Sequence, residues 1–178
     1  QSELDIAHGI QMSMLPHDRA FDGGGRHYRL QARLEPAKAV GGDFHGHFEH
    51  GDGRLWFVVG DVSDKGVPAA LFMARVVTVL EVAAAAGDAP DRVLVDAARH
   101  LAASNEACMF ATVLCGLLDL ASGELAIASA GHDAPLLRHA CICRRQPCQR
   151  GGCPPPAGRH DRTVARLCTT PDAASAIP

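Results

Sequence analysis

The sequence lacks an excess of positive charge: 17 lysines and arginines stand against 20 aspartates and glutamates, for a net charge of −3 and a pI near 6.4. That balance gives no footing on a polyanion, and no nucleic-acid partner is expected. A long uninterrupted apolar run is also missing, because residues 76–86 carry Thr78 and Glu81 and fall short of the roughly 20 residues a bilayer span needs. No membrane partner is expected either. The opening QSELDIAHGIQ has no basic segment leading into an apolar one, so no export signal is read and the expected compartment is the cytoplasm. A secreted disulfide framework is equally absent. The seven cysteines are odd in number, and five of them crowd between 141 and 168.

What is present is enough for one domain with a substantial core: 178 residues, 47% apolar and 21% charged. Its centre is residues 40–73, VGGDFHGHFEHGDGRLWFVVGDVSDKGVPAALFM. Leu55 to Val59 form a short apolar run bounded by Gly53 and Gly60, the pattern of a buried strand. Asp61 follows Gly60 at the end of that run, and Asp43 follows Gly41-Gly42, whose freedom of backbone conformation would turn it to the same place. Two carboxylates converging there repel unless a cation lies between them.

On either side the periodicity is readable. Residues 3–13 place Leu4, Ile6, Ile10 and Met14 at near-helical spacing before Pro16, which predicts a short amphipathic helix. Residues 28–35 (YRLQARLE) alternate apolar and polar, as a strand with one wet face does. Pro68 begins a helix to about Ala86 that Gly87 stops, and Pro90 opens a second. The two are expected to pack together. Residues 109–120 and 124–129 read as a hairpin around the ASG at 121–123, with a further strand at 135–138. Strands, a helix pair and strands again predict an α+β fold. Beyond Ala140 the character changes: the last 38 residues hold five cysteines, six prolines and six arginines but no aromatic, lysine or glutamate. This tail is expected to add little to a core.

The strings IQMSMLP (10–16), PAKAVGGDF (36–44), GDVSDKGVPAALFMA (60–74), MFATVLCGLLDLASGEL (109–125) and SAGHDAPLLR (129–138) resemble, in order and spacing, the SpoIIE-like serine/threonine phosphatases of bacteria. These are metal-dependent phosphatases of the PPM, or type 2C, group. The resemblance covers about residues 7–139. It implies an α-β-β-α sandwich of two antiparallel sheets flanked by helices, with a two-metal site between the sheets. In that site Mn²⁺ or Mg²⁺ would generate the hydroxide that attacks phosphoserine or phosphothreonine. Carried over by position, Asp61 bridges both ions, Asp43 binds one, and the Val62 carbonyl holds that same ion. The implied substrate is a phosphorylated STAS-domain protein of the anti-anti-sigma type. An upstream sensor or receiver domain is the implied regulator, with the first helix as its entry. Residues 3–14 are read as a homodimer contact or as a plain surface helix.

The family also uses late aspartates, one in a motif resembling YTDGV. Here the only carboxylate side chains after Asp133 are Asp161 and Asp172, in RHDRT and TTPDAA, which do not reproduce it. The fold is therefore read as truncated or altered at its C-terminal end, with one tight or moderate metal site rather than two. The domain reading is a connector helix over 1–16, the phosphatase-like domain over 17–140 and the atypical tail over 141–178. A reading-frame change would produce such a tail; an alternative frame with no YTDG-like string after codon 140 would exclude it. Other candidates take plainer readings: Asp64 as a loop acid where relatives carry glycine, and Ser63 and Lys65 as near the substrate or on the surface. His45 and His47 are assigned to a wet loop, His132 to holding its own loop, and Cys141, Cys143, Cys148 and Cys153 to an incidental cluster rather than a zinc knuckle. Two functions remain: an active phosphatase, or a catalytically impaired scaffold that binds a signalling partner.

Overall fold

The computed structural model describes residues 2–23, 26–36, 38–87, 89–137, 165–168 and 177. Their elements run α1 (Glu3–Ser13), β1 (Arg19–Gly23), β2 (Arg26–Leu30), β3 (Phe44–Glu49), β4 (Arg54–Val62), α2 (Val67–Ala85), α3 (Pro90–Ala102), β5 (Ala111–Asp119), β6 (Leu125–Ala130) and β7 (Ala165–Cys168). The apolar run read at 55–59 becomes part of β4, an interior strand of the larger sheet. β4 pairs antiparallel with β3, Phe44 opposite Gly60, and with β5, Asp61 opposite Thr112. β5 and β6 form the expected hairpin. Its turn is held by Asp119, whose Oδ1 accepts the N–H groups of Ala121 and Ser122 at 2.8 Å, while Gly123 takes the φ of 73° the turn demands. β7 adds parallel to β6. The sheet order is β3-β4-β5-β6-β7, and β1-β2 form a separate two-stranded sheet.

The helices cover one face of the larger sheet because their buried residues recur at helical spacing. On α2 these are Ala69, Phe72, Met73, Val76, Val77, Leu80 and Ala84; on α3, Val93, Leu94, Ala97 and Leu101. They enclose one core with Trp56, Val58, Val62, Val113 and Cys115. α2 holds α3 by more than packing, since the Arg75 guanidinium donates to the carbonyls of Ser104 at 2.7 Å and of His100 and Leu101 at 3.3 Å. His100 and Leu101 lie in the last turn of α3 and Ser104 just beyond it, so the guanidinium caps the C-terminal end of the helix, where carbonyls run short of helical donors. Counted from Val67, α2 is 19 residues long and apolar enough to cross a membrane, a length the run at 76–86 understates. Here its apolar stripe lies in the core.

The α+β expectation holds, with helices on one face of a mainly antiparallel sheet. Several local expectations need correction. α1 forms where expected, capped by Ser2 and Asp5, and Met12 packs on the core, but three of the apolar residues read as its inner face point outward: Leu4, Ile6 and Ile10 are 47%, 51% and 61% exposed, while Gln11 is 4% exposed. The ladder of β2 ends at Leu30, and residues 31–36 keep the alternating burial without strand pairing. His45 and His47 sit in β3 rather than in a loop. Residues 135–137 carry no strand, and Arg138 lies outside the described residues. The tail contributes more than expected. β7 joins the sheet, and Ile177, 4% exposed, exchanges backbone hydrogen bonds with Ala111 at 2.8 and 2.9 Å.

Candidate metal centre

Asp61 is the penultimate residue of β4 and is exposed, whereas Gly60 and Val62 on either side are buried. The strand pleat causes this, because successive side chains leave opposite faces and the face opposite Asp61 is sealed by the helices. Gly60 is required for closeness rather than for a special backbone angle. A Cβ there would stand 2.4 Å from the Phe44 ring and 2.6 Å from the Thr112 carbonyl oxygen. Phe44 thus lies over Gly60 and brings the preceding Asp43 up to Asp61. Gly42 works the same way: its Cβ would meet the Val62 carbonyl oxygen at 2.8 Å, and its own carbonyl accepts the Val62 N–H at 3.3 Å. Neither residue has a positive φ. Gly42 therefore acts by steric absence, not by the conformational freedom read from the sequence, and Gly60 acts by steric absence as well.

The two carboxylates do converge. The Asp61 carboxyl is held above the usual carboxylate range, first by partial burial, then by the charge of Asp43 and a side-chain hydrogen bond with it, with His132 pulling the other way. His132 is itself held, its Nδ1 2.9 Å from the Thr112 hydroxyl and its carbonyl accepting from the Ser129 hydroxyl at 2.9 Å. Its assignment as a structural residue fits those bonds. A cleft of about 500 Å³ opens over the carboxylates, walled by residues 30–35 on one side and by His45, Val59 and His132 among others. Burial, then the neighbouring His47, lowers the pKa of His45.

The remaining candidates separate clearly. The Ser63 hydroxyl accepts the Phe110 N–H at 3.0 Å, and the Ser63 N–H donates to the Phe110 carbonyl at 2.7 Å, so Ser63 ties the loop after β4 to β5. Asp64 has a φ of 73°, which explains why glycine suits this position. Its Oδ1 accepts the Lys65 N–H at 2.8 Å, and both residues are exposed. Asp161, Asp172 and the cysteines from 141 to 153 lie outside the described residues. Sequence reasoning missed Gln11, a buried amide on α1 bonded to the loop that carries Asp43. Its one signal was a polar residue inside the motif IQMSMLP.

Two carboxylates and a peptide carbonyl are all oxygen donors, and they fit one hard divalent cation that keeps several waters. Among the described residues no group of three His, Cys, Asp or Glu side chains is placed to hold a metal, so a second ion finds no further carboxylate there.

Comparison with known proteins bears on the family and the fold. The model of the family described as stage II sporulation protein E (SpoIIE) matches residues 51–167, which reaches past the end of the resemblance read at 139. Protein IcfG of Synechocystis sp. is 30% identical over 158 residues, covering 74% of this chain and 24% of that protein. Phosphoserine phosphatase RsbU of Bacillus subtilis is 30% identical over 137 residues, covering 75% of this chain and 38% of that protein. This chain thus spans well under half the length of either relative. Among solved structures, the SiaA-PP2C domain of Pseudomonas aeruginosa is similar in fold, with a TM-score of 0.58 at 24% identity, over 72% of this chain and 52% of that one. The family model, with a PP2C-like fold, defines a domain of the PPM phosphatase class. Within that class the chain belongs to the SpoIIE family.

Proposed function

We propose that this domain is a Mn²⁺- or Mg²⁺-dependent protein serine/threonine phosphatase that acts on a phosphorylated STAS-domain protein in cytoplasmic bacterial signalling. The observation that carries this reading is the meeting of Asp43 and Asp61 beneath an open cleft, arranged by glycines at two positions where a side chain has no room. Asp43, Asp61 and the Val62 carbonyl would hold the ion, which when bound acidifies a water and offsets phosphoryl charge. Asp61 supplies negative charge where β4 ends, and Thr112 fixes the His132 ring beside it. The walls formed by residues 30–35 and Val59 give a phosphorylated side chain a bounded entry. The outward apolar side of α1, with Leu4, Ile6 and Ile10, suits contact with an upstream sensor domain or a second copy of the chain.

One observation favours the scaffold as a second reading: the described residues supply carboxylates for a single ion. Hydrolysis of p-nitrophenyl phosphate and of a phosphorylated STAS-domain protein at millimolar Mn²⁺ separates the two. Turnover that Asp61→Asn abolishes is expected. No turnover by the unmodified chain, with partner binding retained, would replace the enzyme by the scaffold.

A further inference from the structure

Gln11 is the only buried polar or charged residue among the described residues, at 4% exposure. It sits on α1, and its side chain spans both backbone groups of one residue 30 positions away. Nε2 donates to the Gly41 carbonyl at 2.6 Å, and Oε1 accepts the Gly41 N–H at 3.1 Å. A primary amide laid against the N–H and C=O of one residue reproduces the two-way pairing of neighbouring antiparallel strands, so position and direction of the chain at Gly41 are both fixed. One turn earlier on the same helix, His8 Nδ1 lies 2.5 Å from the Ala39 carbonyl, and Val40 between the two anchored residues is 3% exposed. The next peptide is anchored as well, through Gly42 to Val62. Asp43 follows immediately.

We propose that Gln11 is a positioning residue for the metal-binding loop: its amide clamps the Gly41 peptide so that Gly42 meets Val62 and Asp43 faces Asp61. The inference rests on the reading of Asp43 as a metal ligand. Gly41 contributes no side chain to pack, and a Cβ there would touch only Pro36, at 3.9 Å, so packing alone does not hold this peptide. The amide does. Hydrophobic logic points the same way, because α1 buries Gln11 while leaving Ile6 and Ile10 exposed. Met12 is the residue of α1 that packs on the core, and the burial of Gln11 beside it is given to hydrogen bonding rather than to apolar contact.

Three variants of the full chain test the clamp: Gln11→Met, which keeps length and loses both bonds; Gln11→Glu, which keeps an acceptor for the Gly41 N–H and loses the donor; and Ser13→Ala as a control on the same helix. Mn²⁺ binding is measured by calorimetry, amide exchange of Gly41 by NMR in metal-free protein, and melting by circular dichroism. Gln11→Met should weaken Mn²⁺ binding about tenfold, as losses behind a metal ligand typically do, and should free the Gly41 amide to exchange. Gln11→Glu should keep much of that protection and lose only part of the affinity, while Ser13→Ala matches the unmodified chain. Mn²⁺ affinity within twofold of the unmodified chain in Gln11→Met, or an unchanged Gly41 exchange rate, would overturn the proposal. Mn²⁺ binding without turnover in the unmodified chain would sink the phosphatase reading alone. No Mn²⁺ binding at all would sink both.

Discussion

The two faces of β4 carry different duties in alternate residues of one strand. On the helix side Trp56 is 0% exposed, Val58 4% and Val62 2%. On the other side Phe57 is half-buried, and Val59 and Asp61 are exposed along the cleft. The dry face is insulated enough that burial, with the charge of Asp91, pushes the Cys115 thiol up to about 12. The open face bears the charge. This division shows how the fold tolerates a repulsive carboxylate pair: apolar packing behind the strand fixes the backbone, and chemistry is placed only where water enters.

Crossing that division should give the largest effect. Trp56→Ala removes a fully buried ring that packs 5.3 Å from the Phe48 ring and is expected to cost about 3–5 kcal/mol, a large share of a typical domain's stability. Val59→Ala, three residues on but facing the cleft, should cost well under about 1 kcal/mol. Urea unfolding followed by circular dichroism measures both. Equal losses would mean that the two faces do not differ as described.

Asp61→Asn sharpens the comparison from the open side, with the opposite sign. The folded protein holds the Asp61 proton above the ordinary carboxylate value of 3.8. Between that value and the raised one the folded state binds more protons than the unfolded state. Stability of the metal-free wild type therefore falls as pH rises through that window, and the penalty is fully present above it. At pH 7 the amide variant should melt higher than metal-free wild type. Solvent screening at this half-open site keeps the gain to roughly 1–2 °C. At pH 3 the two should coincide. Added Mn²⁺ should raise the melting temperature of the wild type only. A variant less stable than wild type at pH 7 without metal would contradict the repulsion.

Much of this was legible in the sequence, and the failures share a cause. β4, α2, α3 and the β5–β6 hairpin carry strong periodicity with glycine or proline at their ends, and Asp43 and Asp61 follow glycines that mark the strand junctions. Local pattern decides such features. α1 was assigned its helix but the wrong inner face, because the partner of Gln11 is a peptide 30 residues away that no local rule can see. β3 was hidden by the histidines at 45 and 47, which blur an otherwise alternating FHGHFE. Residues 31–35 alternate like a strand since they lie along the cleft, yet among the described residues no neighbouring strand bonds them. The contribution of Ile177 had no signal at all, being one apolar residue in a segment without period.

An equally small shift in stability, with no accompanying change in metal binding, is expected at the seam between the two faces, where the chain leaves β4 for α2. Asp64 there holds a left-handed φ of 73°, and an L-residue in that region pays roughly 1–2 kcal/mol. Glycine removes that strain but has more freedom to lose on folding, about 0.5–1 kcal/mol, and the Asp64 bond to the Lys65 N–H is lost with it. The net for Asp64→Gly is a gain of about 0.5 kcal/mol, or roughly 1–2 °C in melting temperature. Because the Asp64 carboxylate is turned to its own loop, Mn²⁺ affinity should stay within twofold of the wild type. A clear loss of affinity in Asp64→Gly would instead bring this carboxylate into the metal centre, and the seam would then belong to the site.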